Sequence, residues 1–105
     1  VIFEKQNVIG YKSEISGDLW FCDSIKKEFS DYDNFGLSHI SIRVDDQADI
    51  DNIVEFLKLR GINALFDTPK HRPEFVSKND ETYYQIIFES PDKIQIEIVY
   101  IGSKT

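Results

Sequence analysis

The chain has 105 residues, 41% apolar and 30% charged, with 19 acids against 12 Lys and Arg for a formal net charge of −7. That length holds one core and excludes a second independent domain, no apolar run approaches the roughly 18 residues of a membrane span, and no signal peptide is evident. The scattered cations and acidic balance argue against nucleic acid and against an acidic macromolecular partner, while Cys22 as the single cysteine excludes an intrachain disulfide and a Cys-rich zinc site and fits a reducing, cytoplasmic location.

The opening residues VIFE and VIGYK read as two paired strands with Lys5 to Asn7 as their turn, and SEISGD leads into a third, LWFCD. The stretch Ser24 to Gly36 is polar, rich in Asp and Ser and closed by Gly, and reads as a connector. LSHISIRV then alternates strictly, with Ile40, Ile42 and Val44 on one face and His39, Ser41 and Arg43 on the other.

A helix is expected next. Asp45 and Asp46 suit its start, Ile50, Ile53, Val54 and Leu57 recur at three- and four-residue steps as one apolar stripe, and Gly61 suits its end. INALFD is a candidate strand, and TPKHRPEFVSKNDE a long loop able to serve as a lid or binding segment. YYQIIFE and KIQIEIVY read as a hairpin joined by Ser90-Pro91-Asp92-Lys93, with Gln95 and Glu97 on its polar face and Ile94, Ile96 and Ile98 against the helix. From residue 37 onward the expected order is strand, helix, three strands.

Two residues in this pattern carry chemistry. His39 at the mouth of one strand and Glu97 on the polar face of another offer half of a metal site, although a strand carboxylate is more often solvated and a single His more often a surface group.

The segment Leu37 to Tyr100 resembles the repeating module of the vicinal oxygen chelate superfamily, which includes glyoxalase I, fosfomycin-resistance thiol transferases, extradiol dioxygenases and bleomycin-resistance proteins. Gly36-Leu37-Ser38-His39-Ile40 is similar to the start of that module. YYQIIFESPDKIQIEIVY is similar to its tyrosine-rich strand, Asp-Pro-Asp-Gly turn and Glu-bearing last strand, with the first acid and the glycine of the turn replaced by Ser90 and Lys93. The resemblance implies an α+β fold with a curved, mostly antiparallel sheet around a cavity. Residues 1–36 are then the last strands of an incomplete first module plus a connector, and residues 37–105 a complete βαβββ module, together one domain. The family's first strand and first helix have no counterpart before Val1, so this sequence is expected to lack the beginning of that module.

The resemblance also implies His39 and Glu97 as ligands of a divalent metal (Zn, Ni, Mn or Fe), with Glu97 able to act as a general base. A catalytic ion normally needs at least three protein ligands, so a third is sought ahead of Val1, in His71 or in another subunit. His71 lies between Lys70 and Arg72, which disfavours a cation, and it reads as an exposed loop residue. LWFCD places Trp20 or Phe21 where a glyoxalase I of the four-ligand type has a carboxylate. Ser41, Arg43 and Gln95 share the faces of His39 and Glu97 and are candidate substrate contacts, Arg43 as a fork for an anionic group. Tyr83 and Tyr84 point to opposite faces, with Tyr84 favoured at the cavity. Trp20 reads as a stacking wall or a core residue, and Cys22 as a small buried filler.

Two functions follow. One is a glyoxalase-like metal enzyme, a lyase, isomerase or thiol transferase whose small-molecule substrate chelates the ion through vicinal oxygens. The other is a metal-free protein of the bleomycin-resistance type that sequesters a cationic or aromatic compound. Either is expected to pair as a homodimer, closing its sheet edges about a two-fold axis.

Overall fold

The structure, a computed structural model, describes residues 1–14 and 17–105. The amino-terminal part forms a three-stranded antiparallel sheet in sequential order, β1 (Phe3–Lys5), β2 (Val8–Tyr11) and β3 (Leu19–Cys22). These are the three expected strands, and part of the SEISGD lead-in to β3 lies outside the described residues. Trp20 lies flat over Gly10, where a Cβ would come within 2.8 Å of its ring, and its centroid is 5.6 Å from that of Phe3.

The second sheet has the order β4-β7-β6-β5. β4 (His39–Val44) runs parallel to β7 (Gln95–Ser103), while β6 (Glu81–Glu89) is antiparallel to β7 and to the two-residue β5 (Lys70–His71). The helix α1 (Gln47–Leu59) crosses from β4 over one face of this sheet. Its start is fixed by the Asp49 carboxylate, which accepts the Asp46 amide at 3.2 Å. Its end is a Schellman closure. Gly61 at φ 68 donates to Lys58 O at 3.1 Å and Ile62 donates to Leu57 O at 3.0 Å.

The core lies between α1 and the sheet. Ile50, Leu57, Ile86 and Ile98 are buried together, with Ile42, Val44, Ile53, Val54, Phe88 and Ile96 packed around them. The 3.6-residue stripe of the helix thus meets the two-residue alternation of three strands, each buried side chain contributing about 1.5–3 kcal/mol.

Two expectations are corrected here. INALFD forms no strand: Ala64 makes an isolated bridge to Phe88, and Phe66 and Asp67 then adopt φ 56 and φ 57, which breaks the extended chain. The fourth strand is β5 instead, inside what reads as a loop, followed by a 3₁₀ turn over Pro73–Phe75. Cys22 is exposed and not a buried filler. Among the described residues no helix is long and apolar enough to cross a membrane.

Candidate functional site on the polar face of the large sheet

The face of the large sheet opposite α1 is built by alternation. The register pairs His39 with Gln95 and Ser41 with Glu97 across β4–β7, and Ile87 with Glu97 across β6–β7, so that Tyr83, Gln85, Gln95 and Glu97 share one side with His39, Ser41 and Arg43. No helix covers this face, yet Gln85, Gln95 and Glu97 are 3%, 8% and 4% exposed.

Glu97 is the centre. Its Oε1 accepts the Ser41 hydroxyl at 2.6 Å, its two oxygens share the Tyr83 hydroxyl at 3.0 Å each, and its Oε2 accepts the Gln85 amide. A buried carboxylate is sustained by this kind of charge-assisted donor set. His39 Nε2 stands 3.9 Å from Glu97 Oε1 on a side chain that is 41% exposed, while its Nδ1 lies 3.2 Å from the Ser38 hydroxyl. Burial, then the Glu97 charge and hydrogen bond, push the Tyr83 phenol up to about 12, so it is a neutral donor at physiological pH.

The expected substrate contacts divide. His39, Ser41, Gln95 and Glu97 come together. Arg43 shares their face, but its Nη2 donates to Ile101 O at 3.0 Å, which ties the guanidinium to β7. Tyr84 does not reach the site. It lies on the helix face, donating to Asp51 Oδ1 of α1 at 2.8 Å, and Tyr83 takes the place expected of it. The alternation could not choose between adjacent tyrosines, because either parity buries a ring.

Trp20 is 51% exposed in the small sheet, outside both the core and the Glu97 face. His71 is on β5 and not in an open loop: its register partner is Tyr84, so its ring stacks on that residue at 4.3 Å on the helix side, with Nδ1 hydrogen bonded to Thr82 Oγ1 at 2.5 Å. It faces away from Glu97. Burial and the Lys104 charge, opposed by Asp51, lower its pKa.

Gln85, Arg72 and Phe75 were not singled out from the sequence, and Tyr83 only as the less favoured of two adjacent tyrosines. The parity that places Glu97 also places Tyr83 and Gln85, given the hairpin register, but Arg72 and Phe75 depend on β5 and the 3₁₀ turn. Arg72 Nη1 donates to Gln85 Oε1 at 3.3 Å, and the Phe75 ring is edge-on to Tyr83 at 5.1 Å. A cavity of about 260 Å³ beside this face, along the free edge of β4, is lined by residues that include Tyr11, Leu19, Ile40, Ser41 and Ile42. A larger one of about 590 Å³ lies around Cys22, Lys27, Phe29 and Asp92 and holds none of the Glu97 donors.

This architecture is the glyoxalase-like fold. The structure is similar to the crystal structure of a candidate glyoxalase from Bacillus halodurans, with a TM-score of 0.72 and 22% identity over 93% of this chain and 71% of that one. It is also similar to a glyoxalase/bleomycin resistance protein/dioxygenase from Alicyclobacillus acidocaldarius, with a TM-score of 0.65 and 19% identity over 96% of this chain and 71% of that one. No family model and no curated protein matches the chain.

Proposed function

We propose that the Glu97 face is a small-molecule site where His39 and Glu97 hold a divalent cation, as in a glyoxalase-like lyase, isomerase or thiol transferase. The observation that carries this reading is the pairing of an imidazole and a buried carboxylate on neighbouring parallel strands, with Nε2 and Oε1 3.9 Å apart. At this separation both side chains would be available to hold one divalent ion. A bound divalent ion supplies Lewis acidity to adjacent substrate oxygens.

The chain's own residues then orient and move protons. Ser41, Tyr83 and Gln85 hold the carboxylate of Glu97 in place, as outer partners of a ligand do. Glu97 is the group on this face able to take a proton from substrate as a general base and to return it to the neighbouring substrate atom, and Tyr83, neutral and fixed, holds its carboxylate in place. Among the described residues no group of three or more His, Cys, Asp or Glu comes together. A second copy of the chain in a homodimer is the proposed source of the third ligand. The exposed Trp20, Phe21 and Phe3 of the small sheet support such pairing.

A second reading is favoured by one feature of the same carboxylate. Both oxygens of Glu97 already accept side-chain donors within one chain, an arrangement that also serves a metal-free protein that sequesters a small molecule. Calorimetric titration of EDTA-treated protein with Ni, Zn, Mn and Fe(II) separates the two. Near-stoichiometric binding that disappears in both His39→Ala and Glu97→Ala supports the metal site. No binding in the parent, or binding that survives both substitutions, overturns it in favour of sequestration.

A further inference from the structure

The β5 rim of the same face carries groups that the proposed metal chemistry leaves unused. The register pairs Lys70 with Gln85, which puts Lys70 on the Glu97 side. Arg72 follows with the same parity, its amide donating to Tyr83 O at 2.8 Å. Its guanidinium is held from three directions. Nε is ion-paired with Glu74, Nη1 donates to Gln85 Oε1 at 3.3 Å, and the Phe75 ring centroid lies 5.0 Å from Cζ. Gln85 in turn donates to Glu97 Oε2.

This chain of contacts, Glu74 to Arg72 to Gln85 to Glu97, has two consequences. The Gln85 amide is locked, with its oxygen toward Arg72 and its nitrogen toward Glu97. The guanidinium is immobilised before any ligand arrives, on a side chain that is 28% exposed, and among the described residues its Nη2 has no hydrogen-bond partner. An arginine fork fixed in this way recognises planar or tetrahedral oxyanions with little ordering cost.

The charges on this face are of both signs. His39, Arg43, Lys70 and Arg72 lie here. The acids are Glu97, already accepting three donors, Glu74, engaged by Arg72, and at the two ends of β6 Glu81 and Glu89, paired with Lys78 and Lys93. Arg43 has its Nη2 on Ile101 O, which leaves Arg72 as the guanidinium with an open edge.

We propose that the ligand of this site carries an anionic oxygen group, a carboxylate, phosphate or phosphonate, that docks on the open edge of Arg72 with Lys70 as a supporting cation. The inference deepens the reading of the Glu97 face as a small-molecule site and is independent of whether a metal binds there. Because only the Gln85 amide separates Arg72 from Glu97, the reacting oxygens of the ligand lie a few bonds from its anionic end. Arg72 is then the residue that sets specificity, selecting small acids and rejecting cations.

The test is binding of malonate and of methylphosphonate, with tetramethylammonium as a cationic control, by amide chemical-shift titration of the full chain in EDTA at constant ionic strength. The expected result is saturable binding of at least one anion. Shifts concentrate at Lys70 to Phe75 and Tyr83 to Gln85, and affinity falls about tenfold or more in Arg72→Gln. Lys58→Gln, exposed on α1 across the sheet, binds as the parent does, and His39→Ala is titrated beside it. Arg72→Lys, which keeps the charge and loses the fork, guards against a merely unfolded glutamine variant and is expected to bind more weakly than the parent with unchanged circular dichroism. Carboxylate against phosphonate preference identifies the anionic group. Binding that is equal in the parent and both Arg72 variants, that follows His39 instead, or that is absent for both anions overturns the proposal. A failed metal titration in the same preparation leaves these outcomes readable, since EDTA is present throughout.

Discussion

Ser41 and Glu97 are register partners across the parallel β4–β7 ladder, and the Ser41 hydroxyl donates to Glu97 Oε1 at 2.6 Å. The bond ties a buried carboxylate to the edge strand that also carries His39. Ser41→Ala is expected to cost about 1.5 kcal/mol, the low end for a hydrogen bond to a charged group because Ser41 is near solvent. Urea unfolding reads this as a lower midpoint at constant slope. A change below about 0.5 kcal/mol would show that the carboxylate does not depend on this donor.

The turn between β6 and β7 holds Lys93 at φ 64, a left-handed conformation that favours glycine. Ser90 compensates, accepting the Lys93 amide on its carbonyl at 2.9 Å and the Ile94 amide on its hydroxyl at 3.0 Å. Lys93→Gly is expected to stabilise the chain by about 0.5–1 kcal/mol through relief of the left-handed conformation. The exposed Lys93–Glu89 contact at 3.4 Å offsets little of this. A lower thermal midpoint in Lys93→Gly would contradict the account of the turn.

Tyr84 gives an alkaline signature. Burial first, then the hydrogen bond to Asp51 and its charge, push the phenol up to about 12. The folded chain therefore holds this proton more tightly than the unfolded chain, where tyrosine titrates near 10. The associated stability is present below about pH 10 and is lost as pH rises through about 12. Absorbance at 295 nm should show a late tyrosinate step shared by Tyr83 and Tyr84, which Tyr84→Phe reduces by about half and Asp51→Asn moves in part to lower pH. An unchanged titration in both variants would contradict the pairing.

His71 gives the opposite sign. Its pKa is lowered from 6.5, mainly by burial, so the unfolded chain takes up the proton first. Its contribution to stability is present above pH 6.5 and declines as pH falls through the lower folded value. His71→Gln is expected to flatten the pH dependence of stability just below 6.5. A pH dependence as steep as the parent's would contradict the placement of this ring.

The fold was legible wherever burial enforces a period. Ile50, Ile53, Val54 and Leu57 marked the helix, and the alternation of Ile40 to Val44 and of Ile94 to Ile98 marked two strands whose polar faces deliver His39, Ser41, Gln95 and Glu97. Alternation failed where both faces take a similar residue, as with Tyr83 and Tyr84. It also failed in the segment 62–75, where apolar content suggests a strand at INALFD but the left-handed Phe66 and Asp67 move pairing to Lys70 and His71. Arg72 and Phe75 reach the site only through that shifted strand. Trp20 shows a different limit: composition marks an aromatic as core, while its surroundings in the structure are Phe3, Gly10 and open surface.

A cation shared by His39 and Glu97 is read out by Mn(II)-induced relaxation of backbone amides. Substoichiometric Mn(II) is predicted to broaden His39 to Arg43, Gln95 to Val99 and Tyr83 to Gln85 first, three segments far apart in sequence that meet only on this face. Broadening centred elsewhere, such as the acids at the start of α1, or no localised broadening at all, would contradict it.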